Sequence, residues 1–137
     1  MRQEWKRHAL GEEENNMRKI IEVPYIDQSV SYPTGCESVS ATMLLQYLGY
    51  EITVDEFIRN YVPCVPMQER DGQLYGPDPR KAFCGSPYDK DSFGCYAPVI
   101  CEALQKAVGD KYRVVDETGT SVQVLIQRYI DREMPVV

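Results

Sequence analysis

A chain of 137 residues is the length of one domain, and its 43% hydrophobic residues are enough for one packed core. The 15 Lys and Arg against 21 Asp and Glu leave a formal charge of −6. No basic cluster is broad enough to follow a run of phosphates, which argues against nucleic acid as a partner. No apolar run approaches the roughly 20 residues of a membrane span. The N-terminus is charged at both ends with no apolar centre, so it is not a signal peptide as it stands. The compartment stays open: cytoplasmic, or exported after loss of a leader.

In chain order, residues 1–19 read as a charged tail in which Trp5 and Leu10 are isolated apolar groups. Ile20 to Ile26 reads as a short extended segment that Pro24 confines to an edge or an irregular strand. Pro33-Thr34-Gly35 makes a turn. A helix over Cys36 to Leu48 follows, with Val39, Met43, Leu44, Tyr47 and Leu48 at spacings of three and four. Ser38, Ser40, Ala41 and Thr42 are small enough for other backbone to approach, and Gly49 is a natural stop. So apolar a helix is expected at the centre of the domain.

Thr53 and Glu56 have capping-box spacing and predict a helix over Val54 to Tyr61, ending before Pro63. Val62 to Phe93 is rich in Pro and Gly and reads as one connection of about 30 residues, far beyond the usual loop length, expected to line a substrate cleft. Pro98 and the run to Val108 predict a third helix, closed by Gly109. Tyr112 to Val115 reads as a strand. Ser121 caps a fourth helix, Val122 to about Arg132, with Val122, Leu125, Ile126, Tyr129 and Ile130 on one face. Met134 to Val137 reads as the opening of a strand. These strand candidates are too few for a sheet, so the chain is expected to be the first part of an α+β domain whose sheet lies downstream.

The five cysteines are Cys36, Cys64, Cys84, Cys95 and Cys101. An odd count leaves at least one thiol free of any internal disulfide. There is no CxxC pair, and the spacings do not fit structural zinc, so no metal or other cofactor is expected. Cys64, Cys84 and Cys101 read as buried thiols acting as small hydrophobes. Cys36 is different, because it follows a tight turn at a helix start. Free backbone N–H groups and the helix dipole favour a thiolate there, which makes Cys36 a candidate nucleophile for acyl transfer. Its own N–H can serve a developing oxyanion, and the amide of Gln28, eight positions upstream, can serve as the second donor. The plainer alternatives are an inert packed thiol at Cys36 and an ordinary surface amide at Gln28. Glu37 is expected at a helix start for dipole reasons alone.

The stretch VPYIDQSVSYPTGCESVSATMLLQYLGY resembles the papain-like cysteine peptidases, and more narrowly the bacteriocin-processing-type peptidases of family C-thirty-nine and their C-thirty-nine-like relatives. The residues that carry the likeness are Val23, Pro24, Gln28, Pro33, Thr34, Gly35, Cys36 and Glu37. Asp78 to Ile100 and the final REMPVV are also similar to the family, so the resemblance covers about residues 20–137. It implies an α+β, papain-like fold, of which residues 20–137 are the N-terminal helical part and the start of the sheet. It implies Cys36 as nucleophile, Gln28 as oxyanion-hole residue and a peptide or protein as substrate. By the same resemblance, the catalytic His and its Asp or Asn partner lie in strands beyond Val137. The single histidine, His8, serves only if the tail folds into the cleft, a position the family does not use. Three readings remain open: a cysteine peptidase inactive as this incomplete chain, a non-catalytic peptide-binding relative, and a structural or interaction domain.

Overall fold

The computed structural model describes residues 19–137; apart from Lys19, the tail expected over residues 1–19 lies outside them. Three helices build the core. The first, α1 (Cys36–Tyr47), starts directly at the turn. The second, α2 (Val54–Tyr61), has the predicted capping box: Thr53 Oγ1 accepts from the Glu56 N–H at 3.2 Å, and Glu56 Oε2 accepts from the Thr53 N–H at 2.8 Å. The third, α3 (Ala97–Val108), has Pro98 in its first turn, where a missing N–H costs no helical bond, and closes at Gly109 with φ +60°. These three helices pack on one another in pairs. Their shared core includes Ala41, Leu45, Phe57, Phe83, Val99, Ala103 and Leu104.

The connection after α2 is not structureless. Strand β1 (Cys64–Val65) runs parallel to β4 (Phe83–Cys84), with Cys64 opposite Phe83 and Val65 opposite Cys84. Between them, β2 (Gln68–Arg70) and β3 (Gln73–Tyr75) form a hairpin. Its two turn residues, Asp71 and Gly72, both have positive φ, 53° and 73°, the twist that suits a two-residue hairpin. Strands of two or three residues are too short to show an alternation in sequence. The pairing carries Phe83 into the core, where it is fully buried. It leaves Cys64 exposed rather than buried as expected, because both residues of β1 face outward.

The expected strands at Ile20–Ile26, Tyr112–Val115 and Met134–Val137 do not form among the described residues. A side chain replaces a neighbouring strand at Tyr112–Val114: Gln105 Nε2 donates to the Tyr112 carbonyl at 3.0 Å, and Gln105 Oε1 accepts from the Val114 N–H at 2.9 Å. The fourth helix, α4 (Val122–Arg128), is shorter than predicted and passes into a 3-10 turn at Ile130–Arg132. None of its residues is buried.

The centre of α1 is also packed differently from the apolar pattern. Ser38, Val39, Ala41, Thr42 and Leu45 are its buried residues, so its small side chains make the close helix contacts. Met43, Leu44, Tyr47 and Leu48 are only half-buried.

Candidate active site around Cys36

The turn that presents Cys36 is held from several directions. The Tyr32 N–H donates to the Gln28 carbonyl at 2.9 Å, and the Gly35 N–H donates to the Tyr32 carbonyl at 3.0 Å. Thr34 Oγ1 lies 2.7 Å from the Asp89 carbonyl and 3.2 Å from that of Ser86. Gly35 is buried, and a Cβ on it would lie 2.9 Å from Tyr32 Cβ and 3.2 Å from Pro87 Cβ. The hydroxyls of Tyr32 and Tyr88 both donate to Asp55 Oδ1, at 3.0 and 2.8 Å, with the rings 5.6 Å apart. Burial, and then the Asp55 carboxylate, push the Tyr88 phenol up to about 12. Residues 86–89 therefore clamp the turn. No residue of the long connection, Val62 to Phe93, is among the described residues that line the cleft beside Cys36.

Cys36 is the first residue of α1 and is exposed. It opens on a cleft of about 590 Å³. Leu44 and Leu48 of α1, Ile100 and Leu104 of α3, and Leu125 of α4 form apolar walls; residues 112–118 and Met134–Val137 complete the cleft. The half-buried apolar stripe of α1 is thus cleft wall. Gln28 is half-buried at the turn and is not among the described residues that line this cleft.

The Cys36 thiol is held above the ordinary cysteine value. Partial burial of the sulfur raises its pKa most, and a hydrogen bond and charge repulsion from Glu37 add to that. The backbone N–H groups of Glu37 and Cys36 act in the opposite direction, as expected at a helix start, but they are outweighed. The thiolate that the helix start alone is expected to favour is thus not favoured in the fold. Cys36 Sγ donates to Glu37 Oε2 at 3.2 Å, while Glu37 Oε1 accepts from the Cys95 N–H at 3.3 Å. Cys95 is half-buried, and that partial burial, followed by the charge of Glu37 and the neighbouring thiols, pushes it up to about 12.

From the sequence, Glu37 is expected to serve the helix dipole alone, whereas in the fold its carboxylate contacts Cys36 Sγ and the Cys95 N–H. Its place beside Cys36 in the sequence was the available signal; its contact with Cys95 requires the fold. Among the described residues, no group of three or more His, Cys, Asp or Glu is placed to hold a metal ion. No described helix is long and apolar enough to cross a membrane.

This arrangement of α+β structure and a cysteine-bearing helix start lies in a known family. The profile of the Peptidase_C39 like family matches residues 20–137, and the chain belongs to that family. It is 34% identical over 102 residues to the Uncharacterized protein YvpB of Bacillus subtilis (strain 168), covering 74% of this chain and 38% of YvpB. It is also similar to a crystal structure from Bacillus anthracis described as that of a candidate C39-like peptidase. There the identity is 26% and the TM-score 0.65, over 80% of this chain and 52% of the other. The chain thus spans about half or less of the length of these two relatives.

Proposed function

We propose that residues 20–137 are the nucleophile-bearing, N-terminal portion of a papain-like cysteine peptidase domain that acts on peptide amides. The observation that carries this reading is Cys36 as the exposed first residue of α1, opening on an apolar cleft, within the stretch matched to the family. In this reading the Cys36 sulfur gives its proton to a base and attacks the amide carbonyl, forming a C–S bond. The Cys36 N–H and the Gln28 amide donate to the oxyanion. Collapse breaks the C–N bond, and the amine leaves with the proton held by the base. Water then hydrolyses the thioester to the carboxylic acid and restores the thiol.

The base lies outside the described residues, which contain no histidine; the sequence's one histidine, His8, is also outside them. The 137-residue chain by itself is therefore expected to show no measurable turnover of peptide substrates. Turnover that survives His8→Ala but is lost in Cys36→Ala would place a working base within the described residues and overturn this assignment.

The nucleophile is tested separately with a peptide vinyl sulfone and intact-mass analysis. A single adduct that maps to Cys36, with the exposed Cys64 unmodified, is expected. Equal labelling of the two, or none at Cys36, goes against it. A second reading is a peptide-binding relative that keeps the apolar cleft without catalysis. Saturable binding of an unreactive peptide, with no adduct from its vinyl sulfone counterpart, is the outcome that selects that reading.

A further inference from the structure

Building on the nucleophile reading of Cys36, we propose that Glu37 is a positioning residue that keeps the Cys36 thiol protonated at rest and fixes its sulfur against the Gly94–Cys95 backbone. One carboxylate makes both contacts: Oε2 accepts from Cys36 Sγ at 3.2 Å, and Oε1 accepts from the Cys95 N–H at 3.3 Å. The space for it is built. Gly94 is buried with φ +101°, and a Cβ there would lie 2.8 Å from Glu37 Oε1. Gly94 is itself held by a bridge to β4, with the Cys84 N–H donating to its carbonyl at 2.8 Å. The carboxylate is therefore anchored at one end to the core and at the other to the candidate nucleophile.

The chemical consequence is a conditional nucleophile. An anion beside the sulfur opposes a second negative charge there. The N–H groups of the helix start favour the thiolate, but at rest they are outweighed, first by partial burial of the sulfur and then by Glu37. A cationic conjugate acid next to the sulfur reverses that balance, as in a thiolate paired with a protonated base. Glu37 thus suppresses thiolate until a base is in place, and transfer of the Sγ proton to that base breaks the hydrogen bond to Glu37 Oε2. Cys95 and Tyr96 face the same space from the start of α3, and Tyr112, Arg113, Asp116 and Glu117 from the wall opposite. Of the charged groups on the cleft, Glu37 rather than Arg113, Asp116 or Glu117 is the one that acts on the Cys36 sulfur.

The test is the pH dependence of iodoacetamide alkylation at Cys36, followed by mass mapping in the wild type and in Glu37→Gln. Glutamine keeps the size and the oxygen that accepts from Cys95, but removes the charge. The wild-type midpoint is expected above the ordinary cysteine value of about 8.5, and Glu37→Gln is expected to move it down, giving roughly three- to tenfold faster alkylation at pH 7. A purely structural role would lower the melting temperature and leave the profile in place, so superimposed profiles overturn the proposal. A wild-type Cys36 midpoint at or below about 8.5 overturns it even if the variant does not fold. A shifted profile without vinyl sulfone capture at Cys36 retains the role of Glu37 and removes the nucleophile reading. Capture with an unshifted profile does the reverse.

Discussion

Gly35 has no side chain because the fold leaves no room for one. Its φ of −101° is open to any residue, so the constraint is space and not backbone conformation. A methyl group would press on Tyr32 and Pro87 at 2.9 and 3.2 Å, both parts of the clamp around the turn. Gly35→Ala is expected to cost about 1–3 kcal/mol by overpacking, read as a lower denaturation midpoint, and to change the alkylation rate of Cys36. Asp55 works at the other end of the clamp. Asp55→Asn removes the negative charge that both phenols face, so the Tyr88 titration is expected to fall from about 12 toward the ordinary tyrosine range, measured by phenolate absorbance. An unmoved titration would mean that burial alone accounts for it.

Among the elements, α4 depends on polar ties more than on burial, since none of its residues is buried. Glu117 makes those ties: it accepts from the Tyr129 hydroxyl, from Thr120 Oγ1 at 2.7 Å and from Arg128 at 2.6 Å. These partners, Tyr129 first, hold its carboxyl down at about 2, against an ordinary value of 4.5. A carboxyl lowered in the folded state stabilises fully above its unfolded pKa and loses that contribution as pH falls through the folded one. Detachment of α4 is therefore expected between about pH 4.5 and pH 2, followed as protease cleavage near Val122–Arg128. Glu117→Gln should make that cleavage nearly independent of pH over the same range. In α2, Thr53→Ala removes the cap and is expected to cost about 1 kcal/mol.

For the whole molecule, stability is concentrated where α1, α2 and α3 meet. Phe57 is fully buried there, and Phe57→Ala is expected to cost about 3–5 kcal/mol in chemical denaturation. The open cleft lies against the same α1 and α3 core residues, with Val115, Val136 and Val137 exposed around it. An apolar surface of this kind is expected to bind the dye anilinonaphthalene sulfonate and to make sedimentation depend on concentration. A chain that sediments as a monomer at all concentrations and leaves the dye dark would show the cleft to be closed in solution.

What the residues determined alone was local. The Thr53–Glu56 cap, Pro98 and Gly109 set helix ends through contacts only a few residues apart, and Pro33-Thr34-Gly35-Cys36 placed a thiol at a helix start. The family was legible for the same reason, because its distinctive residues stand at fixed short spacings. Pairing of β1 with β4, the clamp of residues 86–89 on the turn, and the exposure of Cys64 join positions far apart in the chain, and no short-range pattern encodes them. The same holds for the protonation of Cys36. A helix start favours a thiolate, but partial burial and a Glu37 carboxylate reaching back to Cys95 tip the balance the other way, and only the folded chain brings those groups together.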